Sequence, residues 1–270
     1  MPFTLSHPAA AVPFARWGLV LSALVVGSLS PDLNYFLCLS TRCQFGHTLL
    51  GIFLLDIPAG LAVLWLFHTV LKRPLLLLLP VTHQQCLMPL ATHFHFLPWR
   101  RFWLIVLSLL LGALTHIVWD SLTHKSGWVV LKLPVLSMPI IETEQGSLKV
   151  YKVLQYGSTL LGATLLFYWY FKWLRHAPIQ PINSLTLLST KTKWLIICSI
   201  GLSAALFASI YGFVSVAPFS DFYSFYRFVG LAVIAAIAIV FVELVIFSVF
   251  WYTYWFKAPV LDVGKDQELK

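Results

Sequence analysis

Apolar residues dominate six stretches of this chain, near residues 17–28, 49–71, 102–122, 154–174, 194–216 and 228–255, with charged and turn-forming residues clustered between them. A helix needs roughly 20 apolar residues to cross a bilayer, a length that most of these stretches approach or exceed and the first falls short of. Backbone groups in lipid must be satisfied within the segment, so the pattern predicts an all-α polytopic membrane bundle of about six long helices. A seventh, shorter element precedes them. Residues 1–15 carry no charge, Ser6 suits an N-cap and Pro8 a first helical turn. Pro13 and the Arg16-Trp17-Gly18 group then allow a break. These signals predict a short re-entrant helix over 6–14, doubling back beside the first long one. A straight helix would instead hold His7 more than about 30 Å from Asp32. Residues 16–28 imitate a signal peptide but lack a conventional basic start, so they are expected to be retained.

The expected organisation is a membrane domain over 1–176, a cytoplasmic linker over 177–193, a transmembrane helix pair over 194–257 and a polar tail over 258–270. Composition agrees: 59% hydrophobic and 10% charged residues exclude an ordinary soluble domain. A net charge of +8 raises nucleic acid as a partner, but Lys72, Arg73, Arg100, Arg101, Lys172, Arg175, Lys191 and Lys193 flank apolar runs. That is the positive-inside pattern, and no nucleic-acid partner is expected. Under alternating crossings, the loops 29–46, 123–153 and 217–227 share one side. Six of the eighteen basic residues lie there and twelve on the other, which assigns the second side and the C-terminus to the cytoplasm. Eleven Trp and ten Tyr, several near run ends, suit an interfacial belt. Cys38 and Cys43 share one outer loop, where a small bridge and two free thiols are both open readings; Cys86 and Cys198 are isolated.

The candidate chemistry centres on His116, Asp120 and His124. A spacing of four advances about 40° around a helix, so the three share one stripe. Imidazole, carboxylate and imidazole at that pitch suit a divalent metal, zinc by ligand type. Asp32 follows the first long helix and His47 precedes the second, which places both on the same outer face as the stripe. By itself Asp32 in Ser30-Pro31-Asp32 reads as a turn residue, and His47 in Gly46-His47-Thr48 as a helix-start residue. Together with His7, conditional on the re-entrant start, they form the predicted metal set His7, Asp32, His47, His116, Asp120 and His124. It holds one ion with an open position, or two. Asp32 and Asp120 are the candidate catalytic residues, orienting or deprotonating water.

Other polar residues read differently. His83, Cys86, His93 and His95 have metal-type spacing, but Pro80, Pro89 and Pro98 make a solvated loop the better reading. His68 and His176 look like interfacial residues at helix ends. Asp56 is a lone carboxylate inside the second span, either paired across the bundle or on a water-filled path; Glu243 in the last span raises the same question. Gly127, Pro134, Pro139 and Gly146 argue against a continuous helix in 123–153, which becomes a candidate lid. Lys152, Gln155 and Tyr156 return to the same face as candidates for holding a polar or anionic headgroup.

The segments Met1-Pro2-Phe3-Thr4-Leu5-Ser6-His7-Pro8, Gly27-Ser28-Leu29-Ser30-Pro31-Asp32, Gly46-His47-Thr48-Leu49-Leu50-Gly51 and Gly112 through His124 resemble an uncharacterised bacterial membrane family catalogued as domain of unknown function 4184. That family is in turn distantly similar to inner-membrane predicted metal-dependent hydrolases. The resemblance implies a bacterial origin, an inner-membrane location and a metal-hydrolase site at the six residues named. The expected function is cleavage of a phosphoester in a lipid or lipid-linked molecule at the outer face, with membrane lipids as partners. A non-catalytic protein with a structural metal or polar network is the alternative, and a transporter using Asp56 a third.

Overall fold

A computed structural model of the chain describes residues 4–92, 94–143, 146–181 and 188–254. The first element doubles back as predicted. A 3-10 turn over Thr4–Ser6, helix α1 (Pro8–Ala11) and a 3-10 segment Val12–Trp17 lead to Gly18, whose φ of 82° reverses the chain. Helix α2 (Leu21–Cys38) then runs alongside, its first backbone amides partly served by Ser108 Oγ, which accepts from Val20 N at 3.0 Å.

The sequence places the end of the first long helix at residue 28, yet α2 continues to Cys38 with Pro31 and Asp32 inside it. Pro31 has no N–H to offer the carbonyl of Gly27. The hydroxyl of Ser30 fills that role, donating to Gly27 O at 2.8 Å. Asp32 is therefore a helix residue and not a turn residue, and α2 is long enough to span.

The second span, Leu49–Leu78, strings together α3 (Leu49–Gly51), α4 (Ile57–Leu66) and α5 (Lys72–Leu78) through two π-helical turns, Ile52–Asp56 and Phe67–Leu71. His68 lies inside this rod rather than at its end, stacked on Phe94 with ring centroids 3.9 Å apart and paired with Ser22 Oγ at 3.1 Å. Residues 80–98 are not a purely irregular loop: α6 (Val81–Leu87) and a 3-10 turn at Met88–Leu90 bury Gln84 and Cys86. His83 is spent on Tyr170, whose hydroxyl lies 2.5 Å from its Nδ1, and His93 lies outside the described residues.

Helix α7 (Trp99–Thr123) runs parallel to α2 in backbone contact. A Cβ on Gly27 would stand 2.3 Å from Leu109 O, and one on Gly112 2.5 Å from Leu24 O. Two glycines facing across the crossing thus bring the helices closer than side chains would permit. Around it Ala23, Leu64, Ile105 and Leu109 form the buried core. Gly112→Ala should cost about 1–3 kcal/mol of stability through overpacking. Thermal unfolding of the detergent-purified protein checks this, and an unchanged melting temperature would contradict the contact.

Between α7 and the next long helix the chain forms α8 (Trp128–Lys132), a 3-10 turn at Pro134–Ser137 and an antiparallel hairpin, β1 (Pro139–Thr143) with β2 (Gly146–Lys149). The predicted absence of a continuous helix holds, while the hairpin has no counterpart in the sequence reading. Helix α9 (Val150–His176) carries Lys152, Gln155 and Tyr156 on its first two turns, and its Gly162 abuts Ser6 O. Helices α10 (Thr190–Val216) and α11 (Phe222–Tyr254) form the final pair. α11 begins six residues before residue 228, so Arg227 sits on a helix and not in a loop. The pair is tied to the rest by Tyr211 Oη donating to Leu39 O and Lys193 Nζ donating to Leu79 O, both at 2.8 Å. The predicted polar tail 258–270 lies outside the described residues.

Among the described residues, five helices are long and apolar enough to cross a membrane: Leu21–Cys38, Leu49–Leu78, Trp99–Thr123, Thr190–Val216 and Phe222–Tyr254. Their outward faces are apolar, as at Leu195, Leu202, Val214 and Ile246. That is the inverse of a soluble surface and fits a lipid solvent.

Candidate metal centre

The helix register set by the two glycines decides which side chains meet. One turn beyond Gly112, His116 packs against α2, and its Nδ1 donates to Ser28 O at 2.8 Å. That bond fixes the tautomer and leaves Nε2 bare. A further turn along each helix bring Asp32 and Asp120 to the same point. The third side is the turn before the second span. There Thr48 caps α3, accepting from Gly51 N at 2.9 Å, and Gly46 is pressed so closely on α2 that a Cβ would lie 2.6 Å from Pro31 O. His47, between them, is thereby aimed at Asp32.

Four atoms now face one another in a ring. His47 Nε2 is 3.4 Å from Asp32 Oδ1 and 3.5 Å from Asp120 Oδ2. His116 Nε2 is 3.6 Å from Asp32 Oδ1 and 3.4 Å from Asp120 Oδ2. Neither nitrogen makes a hydrogen bond, although both are buried. Donors held about 2.0–2.2 Å from one tetrahedral ion stand roughly 3.3–3.6 Å from each other. These four edges, the donor types and the orphaned nitrogens suit a divalent metal; the ligand atoms of Asp32, His47 and His116 all lie within 4.8 Å of one another, as do those of His7, His116 and Asp120.

The remaining carboxylate oxygens are held from outside the ring. Asp32 Oδ2 accepts from Thr4 Oγ1 at 2.6 Å. Asp120 Oδ1 lies 3.1 Å from His7 Nε2 and 3.4 Å from His124 Nδ1. His7 is stacked on His116 with centroids 4.0 Å apart, and its Nδ1 is 3.1 Å from Thr4 O. The doubled-back N-terminal segment thus supplies both Thr4 and His7, and the structure brings His7 together with the other five residues.

His124 stands differently from the others. Its Nδ1 is also 3.2 Å from the carbonyl of Asp120, while its Nε2 faces Gln155 Nε2 at 3.5 Å. Burial holds its pKa below the ordinary value against the opposing pull of Asp120. A neutral ring donating from Nδ1 and accepting at Nε2 satisfies both contacts, so His124 supports Asp120 from the side. His47 is the reverse case: burial opposes its charge, but Asp120 and Asp32 outweigh it and raise the pKa to about 9.

The predicted headgroup residues divide. Gln155 is buried against His124, and Lys152 Nζ donates to Gln155 Oε1 at 2.8 Å. Tyr156 is 59% exposed and meets the group only through Lys152, whose Nζ stands 5.8 Å from its ring. Asp56 is fully buried with neither carboxylate oxygen hydrogen-bonded, close enough to the His47 turn that a Cβ on Gly46 would lie 2.9 Å from its Oδ1. Glu243 Oε2 is likewise buried without a partner. The residues that sequence reasoning missed are Thr4, Ser28 and Tyr35, the last with its ring 5.4 Å from His47. Thr4 has a retrospective signal, since Thr4-x-x-His7 puts both side chains on one turn.

Fold and site together define a polytopic helical membrane protein with a buried histidine–aspartate centre. The chain belongs to the family described as domain of unknown function DUF4184, whose model matches residues 1–249. No curated protein and no solved structure matches it.

Proposed function

We propose that the chain is a membrane-embedded, metal-dependent hydrolase acting on a phosphoester of a lipid or lipid-linked substrate. The observation that carries this reading is the four-atom ring of His47 Nε2, His116 Nε2, Asp32 Oδ1 and Asp120 Oδ2, with edges of 3.4–3.6 Å. These residues would hold the ion, zinc by donor type. His116 has only one nitrogen to give, because Ser28 O occupies the other, which favours one ion over two. A bound divalent ion supplies electrophilic stabilisation of a phosphoryl oxygen and acidifies water.

The chain's own groups then divide the labour. Both oxygens of Asp32 are engaged, one in the ring and one by Thr4, which makes Asp32 a fixed ligand. Asp120 Oδ1, which takes the His124 N–H and faces the bare Nε2 of His7, lies on the exposed side and would accept a proton from attacking water. The centre is open on that side: His124 is 27% and Asp120 12% exposed, against 0% for His116. Lys152 and Gln155 border the opening and would orient an anionic group.

We place the centre on the outer side of a bacterial cytoplasmic membrane, with the C-terminus inside. The twelve-to-six distribution of basic residues supports this. So does the disulfide joining Cys38 to Cys43 just beyond α2, since such bonds persist in oxidising compartments.

The test is turnover by the zinc- or manganese-loaded protein on a panel of phosphodiesters and short-chain phospholipids, with Asp120→Asn as control. Hydrolysis lost in that variant supports the reading. Metal held without turnover of any panel member would instead favour a structural centre. Thr4→Val should weaken metal binding roughly 10–100-fold, as loss of a contact to a ligand does. Competition with a chromogenic chelator measures it, and wild-type affinity would show that Thr4 does not position Asp32.

A further inference from the structure

A second polar site lies at the same end of the bundle and shares no residue with the centre. Three candidate spans stop there, at Cys38, Val216 and Phe222, so the place corresponds to the boundary between apolar and polar regions. Between them is a cleft of about 360 Å³. One wall is the loop closed by the Cys38–Cys43 disulfide, which presents Ser40, Thr41 and Arg42. The other wall is formed by the facing ends of α10 and α11, with Tyr211 and Arg227.

The charges in this cleft are unbalanced. Every ion pair among the described residues joins a histidine to an aspartate of the metal centre. Neither Arg42 nor Arg227 has a carboxylate partner among them. The acid nearest to Arg227 along the chain, Asp221, does not line the cleft, and its Oδ1 is taken by the amide and hydroxyl of Ser224 at 2.8 and 2.7 Å. The loop is also fixed in advance. Tyr211 Oη holds Leu39 O at 2.8 Å, and Ser40 Oγ accepts from Arg42 N at 3.2 Å.

Two guanidinium groups on facing walls, with hydroxyls beside them and the Arg42 wall fixed in advance, are suited to the tetrahedral oxygens of a phosphate, which a guanidinium fork can engage two at a time. The volume lies at the lower end of the range for small-molecule sites and suits a phosphate with a glycerol-sized substituent. We infer that this cleft binds a phosphate group at the membrane boundary, carried by an anionic lipid headgroup or by a free phosphate. The inference is independent of the metal centre: Leu39 lies seven residues beyond Asp32, about 10 Å along the helix.

The full chain in non-ionic detergent, with a chelator present so that the metal centre adds no anion site, is titrated with dihexanoyl phosphatidate, dihexanoyl phosphatidylcholine and inorganic phosphate. Phosphatidate should bind at least tenfold more tightly than the zwitterionic lipid, and the Arg42→Gln/Arg227→Gln double variant should lose that preference. Inorganic phosphate binding as tightly as phosphatidate, with the same loss, identifies free phosphate as sufficient; weak phosphate binding assigns the headgroup. No preference in the wild type, or a preference kept by the double variant, would overturn the inference. Should the glutamine variant fail to fold, Arg42→Lys/Arg227→Lys keeps the charge but removes the fork. It should bind phosphatidate at least threefold more weakly, and wild-type affinity in it would equally count against the site.

Discussion

Asp120→Asn should strip the metal from the purified protein, weakening divalent-ion affinity by more than the roughly 10–100-fold that loss of a supporting contact costs. The reason is the number of roles this carboxylate fills. Oδ2 closes the ring with His47 and His116, and Oδ1 meets His7 and His124. An amide is neutral: with its nitrogen at the Oδ2 position it points N–H groups at the His47 and His116 nitrogens that must be bare to bind an ion, and with its nitrogen at the Oδ1 position it meets the His124 N–H head on. Hydrolysis, where present, should vanish with the metal. The variant should still fold, because the α2–α7 crossing rests on Gly27 and Gly112 further along the helices. A metal titration of Asp120→Asn that matches the wild type would remove Asp120 from the ligand set.

Chelation should destabilise the protein, and more so in alkali. A bound ion stabilises the folded state by about 2.7 kcal/mol when its concentration is a hundred times its dissociation constant. Without it, Asp32 and Asp120 are left at low exposure beside His47, whose protonated form offsets part of their charge at neutral pH. Its pKa is raised from the ordinary 6.5 to about 9 in the folded state. A raised pKa contributes stability that is complete below pH 6.5 and is lost as pH climbs through 9. Metal-loaded protein has no such loss, since an ion displaces that proton. The melting-temperature gap between loaded and chelated protein should therefore widen from pH 6.5 to 9. A gap that stays constant or narrows would mean that His47 is not where the ion and the proton compete.

Much of the centre was legible because helical spacing is a strong geometric rule. His116, Asp120 and His124 had to share a stripe, and alternating crossings had to bring Asp32 and His47 to the same end. The doubling back that delivers His7 was readable from Pro13 and Gly18. What escaped was contributed by groups without a signature in the sequence: a backbone carbonyl at Ser28 and a single hydroxyl at Thr4. The helix through Pro31 escaped because a proline's effect depends on its neighbours, and here Ser30 supplies the missing donor. His124 shows a different limit. Its spacing made it equivalent to His116, but its place at the end of α7, beside Gln155, turned it towards Asp120's outer oxygen and away from the ring. Arg42 and Arg227 disappeared into the charge count, since only packing reveals that no acid among the described residues pairs with them.

X-ray absorption at the metal edge of the full chain, purified after zinc supply, tests the central claim most directly. The ring predicts near-stoichiometric zinc with only nitrogen and oxygen neighbours at about 2.0–2.2 Å, including the multiple-scattering pattern of two imidazoles. Zinc far below one per chain, or a sulfur shell near 2.3 Å pointing to cysteine, would contradict it.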